Sequence, residues 1–317
     1  MGQIGAWESV PGSGGDPEVI VKAVDLWKRF GRIDALTGVT FGIPEGSAFA
    51  LVGPNGAGKT TTIKILVNLL APSRGSATVL GVNARAISRR ELAEIGYVSE
   101  NQDLPGRLTV SDYLDYLRPF YPRWDRDLER SIRQDFELPP TRKIRDLSHG
   151  MRIKMALVCA LPFRPRLLIL DEPFAGLDAR VRDDLITGLL RQAGELTILI
   201  SSHELTEIES FATDVGFLQA GRIAFQEPLA QLTDRCREVY VTLDSTARVP
   251  DPLPPHWLQT RAVGNVLMFV DTQFSEELVS ELVRTLCEGV HHIDAKPMTL
   301  RSIFTSLAPT ARGGVPS

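Results

Sequence analysis

The residues best equipped for chemistry lie in one run, Gly53-Pro54-Asn55-Gly56-Ala57-Gly58-Lys59-Thr60, followed by Thr61. The run fits G-x-x-x-x-G-K-[ST], which carries meaning only between a strand and a helix. Both are predicted here: an apolar strand over 47–52 and a helical pattern from about Lys59 to Leu70. Glycines let successive backbone N–H groups turn into one concavity. The start of the helix adds its positive dipole end to that anion site. Lys59 supplies a point charge for the β- and γ-phosphates, and the Thr60 hydroxyl is a ligand for the Mg²⁺ that accompanies a nucleotide. The pattern by itself means binding of a nucleoside triphosphate and does not choose among kinases, GTPases, helicases and motors.

A second run, Leu167-Leu-Ile-Leu-Asp171-Glu172, is an apolar strand ending in two acids. Ligands of parallel sheets bind outside the carboxyl ends of the strands. Asp171 is therefore expected beside the Mg²⁺, and Glu172 is the candidate for polarising an attacking water.

Further segments extend the pattern. Leu147-Ser148-His149-Gly150-Met151 resembles the LSGGQ signature of the ATP-binding cassette (ABC) ATPases, and Ala175-Gly176-Leu177-Asp178 resembles their D-loop. Ser202-His203 follows a strand, as the family's switch histidine does, and Phe30 sits where the family places an aromatic that stacks on adenine. The segments occur in the family's order, and the resemblance covers about residues 18–235.

That resemblance implies a mechanism. Two cassettes associate head to tail with two ATP molecules between them. Ser148 and the backbone N–H of Gly150 cap the γ-phosphate held by the other copy. His203 contacts the γ-phosphate and orients the Glu172–water pair, while Asp178 supports the base across the dimer. In Ile95-Gly-Tyr-Val-Ser-Glu100 the family's glutamine position falls on Glu100, with Gln102 as the alternative two residues on. The metal site is expected at Thr60, Asp171 and Glu100. The sequence departs from the family at His149 and Met151, which replace a Gly and a Gln of the signature, while Ser148 and Gly150 are kept.

The elements around these residues predict an α/β fold: a P-loop NTPase with a RecA-like core, an antiparallel β-subdomain, a helical subdomain over about 101–160 and a small C-terminal α+β extension. Two early strands (19–26 and 36–43) precede the phosphate loop, and the runs at 167–170 and 196–200 flank a helix over 179–193, giving a βαβ unit. Strands over 215–218 and 222–226 form a closing hairpin, and a helix near 229–236 ends the main domain. The expected divisions are a disordered tail over 1–17, the ATPase domain over 18–235, the extension over 236–308 and a second tail over 309–317. In the extension, strands are expected near 238–243, 259–263 and 266–270, and a helix over 275–287 with Leu278, Leu282 and Leu286 as its core stripe.

Bulk composition narrows the function. The net charge is −4, which argues against a chain-wide footprint for nucleic acid or anionic lipid. Three scattered cysteines without CxxC spacing give no zinc site, and the His291–His292 pair lacks a second ligand cluster. Apolar runs are strand-length, well short of the roughly 20 residues that span a bilayer, and the N-terminus lacks the features of a secretory signal. The expectation is an ATP-hydrolysing subunit on the cytoplasmic face of the cell membrane. It would power a separate multi-span permease, for export, as a homodimer or a heterodimer with a paralogous ATPase, with no nucleic-acid partner. The alternative is an ABC-type ATPase that acts on nucleic acid, ribosomes or a protein complex without transport. A nucleotide-binding module that does not turn over ATP is disfavoured by Lys59, Glu172 and His203.

Overall fold

The computed structural model describes residues 18–191 and 196–307. The expected tails and the end of the helix predicted over 179–193 lie outside the described residues. The chain opens with two long strands, β1 (Val19–Phe30) and β2 (Ile33–Pro44), then β3 (Ala48–Val52), which runs into the phosphate loop and α1 (Lys59–Leu66). The next elements are β4 (Arg74–Val79), β5 (Val82–Asn83), α2 (Arg89–Leu92) and β6 (Ile95–Ser99). A helical block holds α3 (Val110–Leu117), α4 (Arg126–Asp135) and α5 (His149–Ala160). The chain then returns to the sheet with β7 (Leu167–Asp171), α6 (Ala179–Leu190), β8 (Thr197–Ser202), β9 (Asp214–Gln219), β10 (Arg222–Pro228) and α7 (Leu229–Arg235). The extension comprises β11 (Arg237–Leu243), β12 (Trp257–Val263), β13 (Val266–Asp271), α8 (Glu276–Leu286), β14 (Val290–Pro297) and α9 (Leu300–Leu307).

The central sheet has the order β10-β9-β3-β8-β7-β6, parallel except for β10. Its central strands β3, β7 and β8 are almost wholly buried because both faces are covered, whereas the edge strand β10 alternates exposed and half-buried residues. Leu167, Ile169 and Leu199 pack toward the antiparallel sheet β2-β1-β4-β5 and α1. The alternate residues Leu168, Leu170, Ile198 and Ile200 pack toward α5, α6 and the rest of the helical layer. Register then sets the site. Ser99 pairs with Asp171, Asp171 with Ser201, and Val52 with Ser202. The strand ends are therefore level, and Gly53, Glu100, Glu172 and His203 leave the sheet at one edge.

Helices of the helical block start where capping side chains stop the preceding loop. Thr109 and Asp112 form a capping box on α3, the Asp125 carboxylate accepts the N–H groups of Asp127 and Leu128 on α4, and Ser148 Oγ accepts Met151 N–H at 3.3 Å on α5. Glu129 fastens the block internally: it is buried, and it accepts hydrogen bonds from Arg118 and Trp124 at 2.7–2.8 Å.

The extension is a four-stranded antiparallel sheet, β12-β13-β11-β14, with α8 on one face. The expected stripe on α8 is corrected. Val279 and Val283 are its fully buried residues, Leu282 and Leu286 are partly buried beside them, and Leu278 is 64% exposed. The branched valines one position on from Leu278 and Leu282 take the inward face. Neither β14 nor α9 is expected from the sequence. Helix α9 does not pack on α8 but on the central sheet, where Leu300, Ile303 and Phe304 join the main core.

Candidate functional site

At the carboxyl edge of the central sheet lies a cavity of about 580 Å³. Phe30, Asn55, Gly56, Gly58, Lys59, Thr60, Thr61, Glu100, Glu172 and His203 line it, together with Ala35 and Ala175. Gly53, Pro54 and Ala57 form the loop behind it. Phe30 closes β1 and is 46% exposed, so a ring face is available at the mouth.

Two glycines of the loop are there for reasons of space. A Cβ on Gly53 would lie 2.0 Å from Leu218 O on β9, and one on Gly58 would lie 2.6 Å from Leu36 Cδ2. Gly58 also has φ +110°, in the region L side chains avoid. The loop is thus pressed against β2 and β9, and it leads into the N-terminus of α1. Lys59, 5% exposed, donates from Nζ to Gly53 O at 2.7 Å and lies 3.0 Å from Glu172 Oε1. The other oxygen of Glu172, Oε2, is 2.7 Å from His203 Nδ1. A carboxylate only accepts, so Nδ1 is the donor of this bond. Glu172 holds its carboxylate there from a left-handed backbone, φ +52°, a conformation costing about 1–2 kcal/mol for a residue with a Cβ.

Asp171 is buried at the end of β7. Burial pushes its carboxyl above the ordinary value, opposed by hydrogen bonds from Ser201 and Thr60. Ser201 Oγ donates to Asp171 Oδ1 at 2.7 Å and Thr60 Oγ1 to the same oxygen at 3.1 Å. Thr60, Glu100, Asp171 and Glu172 also line an adjoining cavity of about 200 Å³. The hydroxyl and carboxylates are hard oxygen donors, and they suit a magnesium ion that also takes phosphate oxygens and water. No group of three or more His, Cys, Asp or Glu residues able to hold a metal occurs among the described residues. Burial pushes the thiols of Cys159, Cys236 and Cys287 up, away from the thiolate form a nucleophile uses.

Of the two candidates after β6, Glu100 faces the cavity and hydrogen-bonds through its N–H to Asp171 O at 3.0 Å. Gln102 instead folds back, accepting Ser99 N–H at 3.4 Å. Ser148, Gly150 and Asp178 lie outside the cavity. Gly150 is buried with its Cα against α6, where a Cβ would meet Val181 Cγ1 at 2.8 Å, and Asp178 caps α6 by accepting Val181 N–H at 2.9 Å. Sequence reasoning missed Ser201, whose role depends on β7–β8 register. It also missed the contact of His149 Nε2 with Ala175 O at 3.1 Å, which ties the start of α5 to the loop lining the cavity.

A phosphate loop, paired acids and a histidine converging on the carboxyl edge of a parallel sheet define a P-loop nucleoside triphosphatase. The chain belongs to the ABC transporter family, as an ATP-binding subunit of the transporter class, an ATPase. The family pattern "ABC transporter" matches residues 36–175. The Nod factor export ATP-binding protein I of Rhizobium meliloti (strain 1021) is 33% identical over 311 residues, covering 94% of this chain and 90% of that protein, so the likeness includes the C-terminal extension. The probable multidrug ABC transporter ATP-binding protein YbhF of Escherichia coli is 31% identical over 224 residues, 68% of this chain, and the match spans only 37% of that protein's length. The solved "Structure of ATP binding subunit of ABC transporter" superposes with a TM-score of 0.62 at 29% identity, covering 68% of this chain and 92% of that one. No helix among the described residues is long and apolar enough to cross a membrane.

Proposed function

We propose that this chain hydrolyses ATP in a composite site shared by two cassettes and thereby drives export through a separate multi-span permease, working at the cytoplasmic face of the membrane. The observation that carries the proposal is the Glu172 carboxylate held between Lys59 at 3.0 Å and His203 at 2.7 Å, in the cavity beside the phosphate loop. Adenine stacks on Phe30. The N–H groups of Gly56 and of Gly58 to Thr61, with the Lys59 ammonium, bind the phosphates, and Gly53, Pro54, Asn55 and Ala57 shape the loop that presents them. A triphosphate seated there draws Lys59 from Glu172 and leaves Oε1 to accept a proton from the attacking water, as a general base does. His203 keeps Glu172 oriented through Oε2 and meets the γ-phosphate. Thr60 and Asp171, with Glu100, hold the Mg²⁺, which when bound neutralises charge developing on the phosphate oxygens.

Ser148 and Gly150 lie away from their own cavity, at the N-terminus of α5. That placement suits capping the γ-phosphate of a second cassette, an identical copy or a paralogue, with Asp178 supporting the base across the same interface. Export is supported by the relative that covers nearly the whole chain, named for export of Nod factor. The extension leaves the cassette at about residue 235, and α9 returns to the cassette core.

The test is the variant Glu172→Gln, which keeps shape and loses the base. Phosphate release falls by about 10²–10⁴-fold, while MgATP binding and an ATP-dependent dimer persist on size-exclusion chromatography. Turnover within threefold of the parent removes Glu172 from this role. Purification of the native complex from solubilised membranes tests transport, and a nucleic acid or ribosome in place of a multi-span protein refutes it.

A further inference from the structure

The segment 203–212 carries His203 and leads back into β9. Its first part is held from inside the ATPase domain. Ser202 Oγ donates to Glu207 Oε2 at 2.5 Å, Ser202 Oγ also accepts Glu204 N–H at 2.9 Å, and Ile208 is fully buried. Glu207, 4% exposed, also faces Arg182 of α6 at 3.8 Å. Its second part is held by the far end of the chain. Glu209 Oε1 accepts the N–H of Leu300, the first residue of α9, at 3.1 Å. Helix α9 is itself fixed. Phe304 meets Phe217 of β9 edge-on at 5.1 Å and Phe225 of β10 at 5.3 Å, and Leu300 and Ile303 are buried in the same core. Phe217 adjoins Leu218, whose carbonyl is the atom the phosphate loop is pressed against at Gly53.

The four-stranded sheet of the extension therefore leaves the ATPase domain through α7 and returns to it through α9, and α9 touches the one segment whose position fixes the catalytic histidine. We infer that α9 is a positioning element for His203, acting through Glu209. The extension thereby has a route to hydrolysis that reaches the site through His203 rather than through the phosphate loop. The inference rests on the assignment of His203 and Glu172 given above. Glu209 is a positioning residue: it touches neither nucleotide nor Glu172, and its side chain is exposed apart from the bond to α9. Its removal loosens the N-terminus of α9 and lets the 203–209 segment shift relative to Glu172, while the phosphate loop, which continues β3 and is bonded at Gly53 to Ser202 O just before that segment, keeps its geometry. Chemistry is affected and nucleotide binding is not.

The experiment compares the full-length parent, Glu209→Ala, Glu209→Gln and Glu172→Gln in one steady-state ATPase assay, with binding of a fluorescent ATP analogue measured alongside. Glu209→Ala lowers kcat about fivefold, the worth of one typical hydrogen bond, with KM for MgATP and analogue affinity within twofold of the parent. Glu209→Gln restores kcat to within twofold, because its amide oxygen still accepts the Leu300 N–H. The inference is overturned if kcat of Glu209→Ala equals the parent's, if nucleotide affinity falls in step with kcat, or if the glutamine variant fails to recover. Glu172→Gln separates the two levels. Its loss of turnover together with a normal Glu209→Ala removes only the role of α9, whereas full turnover of Glu172→Gln removes the site assignment and this inference together.

Discussion

Adding one methyl group to the phosphate loop distinguishes two reasons for its glycines. At Gly53 the ideal Cβ lies 2.0 Å from Leu218 O and 3.1 Å from Leu218 C. The obstacle is the backbone of a central-sheet strand, which cannot rotate away as a side chain could. Real Cβ contacts stay beyond 3.0 Å, so Gly53→Ala must move the loop by about 1 Å and lengthen the Gly53 N–H bond to Ser202 O, already 3.3 Å. Overpacking of this kind costs about 1–3 kcal/mol of stability. The same shift displaces N–H groups aimed at phosphate, and each charge-assisted bond lost is worth about 1.5–3 kcal/mol, so nucleotide affinity falls at least about tenfold. Gly56 is the control. It has φ +80° and nothing within 4 Å of an added Cβ. Gly56→Ala therefore meets only backbone strain, about 1–2 kcal/mol, with the loop left in place. Thermal unfolding and titration with a fluorescent ATP analogue read both quantities. The reasoning is refuted if Gly53→Ala matches the parent in both, or if Gly56→Ala loses as much affinity as Gly53→Ala.

Two further outcomes are expected. His149→Ala removes the tether to Ala175 O and lowers the melting temperature by about 2–4 °C, the shift for roughly 1 kcal/mol in a domain of this size. His149→Gln, whose amide N–H reaches the same carbonyl, recovers it, and equal melting temperatures for all three proteins rule the tether out. Glu129 gives a pH signature. Burial alone would push its carboxyl up, but hydrogen bonds from Arg118 and Trp124 outweigh burial and hold it below its ordinary value of 4.5. A depressed acid stabilises the fold above its unfolded pKa and loses that contribution as pH falls through the folded one. Glu129→Gln is therefore less stable than the parent at pH 7 by about 1.5–3 kcal/mol, and the gap closes as pH drops below 4.5. A gap that is constant from pH 7 to pH 3.5 in urea melts contradicts this.

The core of the fold was legible because its signals are local. The apolar run ending in Asp171-Glu172 and the phosphate loop each announce a strand end, and parallel strands must bring their carboxyl ends to one edge. Glu100 was preferred over Gln102 because the family's glutamine position falls on it, and the structure turns Glu100 toward the cavity and Gln102 back onto Ser99 N–H. What remained hidden depended on contacts distant in sequence. Ser201 acquires its role only when β8 lies beside β7. Nothing in the 149 or 175 segment shows that the two will touch. On α8, leucines at helical spacing outweighed the valines beside them in the sequence, although the sheet it packs on favours Val279 and Val283. Helix α9 is short and follows a polar strand, and its apolar face finds its partner about 80 residues earlier, on β9 and β10.

The return of the chain to the central sheet at α9 makes the four-stranded module an insert rather than a tail. Its two ends are moored to the same body, so residues 237–297 are free to diverge, or to be exchanged between relatives, with little disturbance of the catalytic half, provided the mooring helices are kept. Cutting the chain after Arg235 is a different operation. Every residue lining the nucleotide cavity survives, but Phe217 and Phe225 lose the roof supplied by Phe304, and the greasy patch uncovered invites self-association.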